Sequence, residues 1–260
     1  MNPFVHKTAA GRYAESRPYY HPHAVARVRD YLKLEWPVGR ALDVACGTGQ
    51  SCHVLKSMAQ IIVGTDIAAE MLDEACANDG IRYVRAAAEQ LPFPDEHFDL
   101  ITASSAFHWF ERKRFLDEAN RLLPASHWLV VYTNGFMGRM KENAEFARWM
   151  QGAYLKRYPP PPRHGAPLSE VEAAAAGFSF PHAEDYANDV VFSTEELAHY
   201  LTTQSNIIAA VEKGNETLER VCDCLYESLE LLFPRRRCTF EFGGTIWYLQ
   251  KRQAGACRRP

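Results

Sequence analysis

Two carboxylates and two glycines are the residues of this chain best placed to do chemistry. Asp43 stands in the short apolar stretch 41–45, Gly47 and Gly49 follow in Ala-Cys-Gly-Thr-Gly, and Asp66 closes a second apolar stretch, 61–66. An acid in a short apolar run, a glycine turn, a helix-like segment and a second run ending in Asp make the layout of a nucleoside-binding β-α-β unit. The glycines let backbone approach a ligand where a Cβ would intrude. Asp66 is placed to accept hydrogen bonds from two ribose hydroxyls.

The position of Asp43 decides which nucleoside. A pyrophosphate would lie against the glycine turn and the helix start behind it, where free N–H groups and the helix dipole favour an anion. A carboxylate at that mouth repels it. The same carboxylate suits a ligand presenting an ammonium group, as S-adenosylmethionine does with its methionine tail. Cys52 also occupies the position where a nicotinamide or flavin fingerprint needs its third Gly or Ala.

With those residues in place, the chain resembles a class I S-adenosylmethionine-dependent methyltransferase. The similarity continues through Ala88-Glu89-Gln-Leu-Pro-Phe-Pro-Asp-Glu-His-Phe-Asp-Leu-Ile. Phe107-His108-Trp109-Phe110 and Tyr13-Ala-Glu-Ser-Arg17-Pro-Tyr resemble the trans-aconitate-methyltransferase-like branch, which includes carboxyl methyltransferases of small polyacids. The match is good over about residues 4–136 and loose beyond. Ala45 replaces a glycine common in the family, and Ala87 replaces an Asp that in many members reaches the adenine amine. The resemblance therefore implies that backbone near Ala88 and Glu89, with apolar contacts from Ile67 and Met71, holds the adenine. It further implies that Tyr13 and Arg17 lie on an arm folding over the cofactor, the guanidinium gripping a carboxylate in two-point fashion. Gln204, Ser205 and Asn206 resemble a polar patch over the substrate.

The elements that must position these groups alternate. Strands are expected at 41–45, 61–66, 81–85, 98–103 and 128–133, and helices at 23–34, 50–59, 68–77 and 112–123. Such alternation predicts an α/β, Rossmann-like, mostly parallel sheet with helices on both faces and ligands beyond the carboxyl ends of its strands, where Gly47, Asp66, Ala88 and Ser104 fall. After residue 133 the alternation stops. Helices are expected at 141–157, 169–176, 194–203 and 216–233, a strand at 186–193, and an antiparallel terminal hairpin of 238–242 and 245–251 around Gly243-Gly244. The domains read as arm plus cofactor-binding core at 1–136, an inserted helical lid for substrate at 137–234, and the hairpin completing the sheet at 235–260.

Composition bounds the partners. A net charge of −3 over 260 residues leaves no nucleic-acid footprint, and the clusters Arg235-Arg-Arg237 and Arg258-Arg259 are short enough for solvated faces. Seven cysteines without a repeated pairing unit read as free thiols, and Cys222-Asp-Cys224 is too tight for a zinc knuckle, so no metal is expected. Residues 1–10 are polar, and no stretch approaches the ~20 apolar residues of a membrane helix, so a soluble, cytoplasmic protein without a membrane partner is expected.

His108 and Trp109 follow the fourth strand and so lie near the transferred methyl. The imidazole there is a general base, a hydrogen-bond donor to a carboxylate acceptor, or a packed ring, and the indole is a pocket wall. Methyl transfer from a sulfonium asks mainly for alignment and exclusion of water. No strong acid–base dyad is visible, which fits an acceptor that is already nucleophilic. The reading is methyl transfer to a small molecule on a carboxylate oxygen of an organic acid. Its rivals are N-, phenolic O- or C-methylation with His108 as base, and a non-catalytic S-adenosylmethionine-binding regulator.

Overall fold

The computed structural model describes residues 7–75, 80–162 and 166–253. Helices α1 (Lys7–Ser16) and α2 (His21–Leu32) precede β1 (Val38–Val44), α3 (Gln50–Leu55) and β2 (Ala59–Asp66). Next come α4 (Ala69–Ala75), β3 (Ile81–Arg85), β4 (Leu100–Ser104), α5 (Arg112–Leu122) and β5 (Trp128–Tyr132). Then β6 (Gly135–Met140), α6 (Glu145–Trp149), a π-helical turn at Met150–Tyr154, α7 (Leu155–Arg157) and α8 (Glu170–Ala175) follow. The chain ends through β7 (Phe178–Ser193), α9 (Thr194–Thr202), α10 (Ser205–Glu212), α11 (Leu218–Glu230) and β8 (Arg237–Lys251).

The described residues form two compact units. One holds 20–134, 166–186 and 244–253, the other 7–19, 135–162 and 187–243. The division differs from the expected one: the arm clusters with the segment read as a lid, and 166–186 joins the core.

In the first unit the strand order is β3-β2-β1-β4-β5-β8, parallel except for β8 against β5. Parallel strands covered on both faces must be apolar nearly throughout, and Leu42, Val44, Leu100, Ile101, Ala103, Leu129, Val130 and Val131 are buried. Helix α5 shows the expected spacing: Phe115, Ala119 and Leu122 are buried, Glu111 caps it by accepting from the Arg114 N–H, and Pro124 follows its end. Phe98, Phe115, Leu122, Leu129 and Phe178 fill one face of the sheet, while Val28, Leu55, Met58, Ile62 and Tyr248 fill the other. The order reverses between β1 and β4, where open α/β sheets leave a crevice at the carboxyl ends.

The terminal hairpin is corrected by the structure. The two runs form one continuous strand, β8. Gly243-Gly244 make no turn. A Cβ on Gly244 would stand 1.8 Å from the Thr133 carbonyl oxygen, so glycine serves a close approach between strands. Three further elements differ. The expected arm carrying Tyr13 and Arg17 is helical from Lys7, residues 4–6 lying outside the described residues, as do 76 and 77 of the helix expected at 68–77. The helix read at 141–157 is preceded by strand β6 and broken by the π turn. The strand read at 186–193 begins at Phe178.

In the second unit, β6 pairs antiparallel with the first half of β8, and α9 and α11 pack around Phe146, Leu197, Leu201, Val221, Leu225 and Phe240. Helix α9 starts at a capping box, with Ser193 accepting from the Glu196 N–H and Glu196 accepting from the Ser193 N–H. No helix among the described residues is long and apolar enough to cross a membrane.

Candidate functional site

The turn after β1 is built around alternating left-handed residues. Ala45, Gly47 and Gly49 have φ of 55°, 56° and 81°. Only glycine adopts that conformation without cost, and the N–H groups of Cys46, Gly47 and Gly49 donate to the Thr65 carbonyl, Asp66 Oδ2 and the Cys46 carbonyl. At Gly49 even the space is closed, since a Cβ would lie 2.3 Å from the Tyr83 Oη. At Gly47 a Cβ would meet only the Met71 Cε, at 3.6 Å, so Met71 lies beside the turn. Ala45, at the family's usual glycine position, holds its left-handed conformation as an L-residue.

Asp43 lies wholly inside. Its Oδ1 accepts from Thr102 Oγ1 at 2.7 Å, and its Oδ2 accepts from Ser51 Oγ and, at 3.5 Å, from Cys52 Sγ. Burial pushes its pKa up to about 6 despite these donors, which favour the ion, and the charge of Asp66 adds to the rise. The carboxylate thus ties β1, β4 and the start of α3 together.

Asp66 ends β2 and is nearly buried. Oδ2 accepts from the Gly47 N–H at 2.9 Å and Oδ1 from the Ala68 N–H at 2.8 Å. Burial raises its pKa, opposed by the N–H groups of Ala68, Gly47 and Ile67. Each carboxylate oxygen has further lone pairs for hydroxyl donors. Ile67 beside it is half exposed.

After β3, Ala86 donates its N–H to the Asp66 carbonyl. Ala88 is buried, and the Glu89 side chain accepts from the Glu111 N–H at 2.9 Å, so Glu89 contributes to the loop ahead of α5. After β4, Ser105 adopts φ 51° and starts the turn into a 3₁₀ segment, Phe107–Trp109. Ser104 and Ser105 share the Tyr20 hydroxyl, at 2.8 and 2.9 Å, and Ser105 Oγ also accepts from the Asn134 N–H. Behind them the Tyr132 hydroxyl meets His21 Nδ1 at 2.9 Å. Burial pulls the His21 pKa down to about 3, so this ring is neutral. His108 packs at 4.8 Å against Trp109, both half-buried. The buried Arg112 guanidinium lies 4.7 Å over the Phe107 ring and donates to the carbonyls of Ala166 and Pro167, fixing the segment from its far side.

The structure therefore gathers Asp43, Ala45, Gly47, Gly49, Asp66, Ile67, Met71, Ala88, Glu89, Ser104, His108 and Trp109 in one unit. Tyr13, Arg17, Gln204, Ser205 and Asn206 belong to the other unit. There the Arg17 guanidinium donates to the Thr203 carbonyl at 2.8 Å and stacks over Tyr13 and Tyr200. Asn206 is buried, donating to the Tyr158 carbonyl and accepting from the Tyr154 hydroxyl. Gln204 precedes α10, and Ser205 is its first residue. Sequence reasoning missed Tyr20, His21, Ser51, Thr102 and Tyr132. Of these only Ser51, at the start of the helix after the turn, carried a local signal.

The sheet order is that of a Rossmann-like fold, and residues 42–131 match the family described as a methyltransferase domain. A Dictyostelium discoideum protein described as a methyltransferase is 31% identical over 97 residues, 37% of each chain, so the alignment spans little more than a third of that relative. Among solved structures, one from Anaeromyxobacter dehalogenans described as a type II methyltransferase is similar at TM-score 0.62 and 21% identity, covering 87% of this chain and 95% of that one. The [4+2]-cyclase SpnF is similar at TM-score 0.53 and 20% identity, over 89% of this chain and 83% of its own.

Proposed function

We propose that the protein is an S-adenosylmethionine-dependent methyltransferase that methylates a carboxylate oxygen of a small organic acid. The observation that carries the cofactor is the Asp66 carboxylate, tied to the Gly47 N–H and facing the left-handed turn. The residues present fit that group: glycine at 47 and 49 keeps the turn free of side chains beside Asp66, whose oxygens keep lone pairs for ribose hydroxyls. Asp66 would hold the ribose, Ile67 and Met71 the adenine faces, backbone at Ala88 its edge, and the charge of Asp43 the ammonium. When bound, the cofactor supplies an electrophilic methyl on a sulfonium. The fold alone does not decide the chemistry, because a [4+2]-cyclase shares it.

The acceptor rests on the resemblance at Tyr13–Tyr19 and Phe107–Phe110 and on the engagement of the titratable groups His21, Asp43 and Asp66 within the protein. His21 is neutral and engaged, and Asp43 and Asp66 already accept protein donors, which leaves orientation and exclusion of water as the protein's contribution. A carboxylate is ionised well above pH ~4 and requires no base. The test is a panel of small acids with methyl-labelled cofactor. The expected product releases its label as methanol in mild base, at a rate nearly flat from neutral to mildly alkaline pH, and His108→Gln slows turnover without abolishing it. A base-stable product, with turnover lost in His108→Gln, assigns His108 as the base of N-, phenolic O- or C-methylation instead.

A further inference from the structure

Two thiols lie beneath the cofactor turn, and the methyl-transfer reading uses neither. Cys46 sits inside the turn between Ala45 and Gly47, and Cys52 stands in the first turn of α3; both are buried. They are in hydrogen-bond contact with each other. Gly64 of β2 makes the room for them: a Cβ there would lie 2.8 Å from Cys52 Sγ and 2.9 Å from Cys46 Sγ. Cys52 Sγ also reaches Asp43 Oδ2, and Cys46 Sγ reaches the Gly47 carbonyl at 3.8 Å. Each sulfur is therefore bonded to a different part of the proposed cofactor cradle. Cys222, Cys224 and Cys238 are free thiols in the other unit.

We propose that Cys46 and Cys52 form a reversible oxidation site that weakens cofactor binding when the disulfide closes. The oxidant is a hydroperoxide. One thiolate attacks a peroxide oxygen and becomes a sulfenic acid as the first water leaves. The other thiolate then displaces its hydroxyl as the second water, so two thiols and one hydrogen peroxide give one disulfide and two waters. Closing the bond draws together two residues that flank Gly47, Thr48 and Gly49, and it removes the Cys52 S–H donor from Asp43. The turn then loses the geometry that presents Gly47 to Asp66.

The environment sets the conditions. The Cys52 thiol is pushed well above its ordinary range by its bond to Cys46, by burial and by the Asp43 charge, and Cys46 is raised by burial and by Asp43 and Asp66 against the lowering bond from Cys52. A thiol so placed is a slow nucleophile. Oxidation thus requires the turn to open, which bound cofactor opposes. The proposal rests on the S-adenosylmethionine reading for its effect on binding, whereas the disulfide itself does not depend on that reading.

The two are separable in one experiment. The tryptic peptide 41–56 carries both thiols and no other cysteine. The purified protein is treated with hydrogen peroxide, with and without saturating S-adenosylmethionine. Affinity is then measured by calorimetry before and after dithiothreitol, with Cys46→Ala in parallel. We expect the peptide to become two hydrogens lighter, the affinity to fall about tenfold or more and return with reductant, and the cofactor to slow the mass change. The affinity of Cys46→Ala should be the same before and after oxidant. Oxidation confined to other cysteines overturns the proposal, and so does a disulfide in 41–56 that leaves affinity unchanged. A reduced protein that binds no S-adenosylmethionine defeats the cofactor reading, while the peptide mass still decides whether the pair oxidises.

Discussion

The turns after β1 and β4 solve one problem with opposite chemistry. Both leave the carboxyl edge of the sheet, and both hold a non-glycine residue in the left-handed region, Ala45 at φ 55° and Ser105 at φ 51°. The first is braced by an ionisable carboxylate, Asp43, among Ser51, Cys52 and Thr102. The second is braced by neutral groups, Tyr20, Ser104, Tyr132 and a histidine kept uncharged. The difference teaches that a buried brace is tolerated in either form, but its cost appears at opposite ends of the pH scale.

The largest expected effect tests the charged brace. A carboxyl raised from 3.8 to about 6 binds more protons folded than unfolded, so stability falls as pH rises between those values. Asp43→Asn should therefore gain about 2–3 kcal/mol at pH 7, and about half of that at pH 5, in denaturant titrations. A loss at both pH values would show that the donors outweigh burial. The neutral brace gives the reverse slope. With its pKa lowered from 6.5 to about 3, His21 binds fewer protons folded than unfolded, and stability falls as pH drops below 6.5. Wild type should lose about 2 kcal/mol from this group between pH 7 and pH 5, and His21→Gln should lack that slope.

Smaller effects sharpen the comparison at the backbone. Ala45→Gly relieves a left-handed residue that makes no side-chain hydrogen bond, so a gain of about 0.5–1 kcal/mol is expected from thermal unfolding. Ser105→Gly relieves the same strain but deletes the oxygen that meets Tyr20 and the Asn134 N–H, and it should be neutral within about 0.5 kcal/mol or destabilising. Equal gains at both sites would show that the hydroxyl brace contributes nothing.

Sequence pattern made the charged turn legible because its parts are close in the chain: an acid, two glycines and a second acid within 43–66. The parallel sheet was legible for the same reason, since each strand and helix carries its own periodicity. The neutral brace was not. Tyr20 lies 84 residues from Ser104, and His21 lies 111 from Tyr132, so nothing local marks either partner. Gly243-Gly244 misled because a glycine pair reads as a turn, whereas the Thr133 carbonyl that requires it is distant in sequence. Helix α10 escaped notice because it opens on Ser205 and Asn206, polar residues that read as a patch until Asn206 is seen bonded to Tyr154 and Tyr158.

The most direct test of the cofactor site is a calorimetric titration of S-adenosylmethionine into the wild-type protein and into Asp66→Ala, with unfolding curves confirming that the variant is folded. The Asp66 carboxylate should bond two ribose hydroxyls, each charge-assisted bond being worth about 1.5–3 kcal/mol, so the account predicts binding to the wild type that weakens at least about tenfold in the variant. Equal affinity in a folded Asp66→Ala protein, or a wild type that takes up NAD and ignores S-adenosylmethionine, would contradict it.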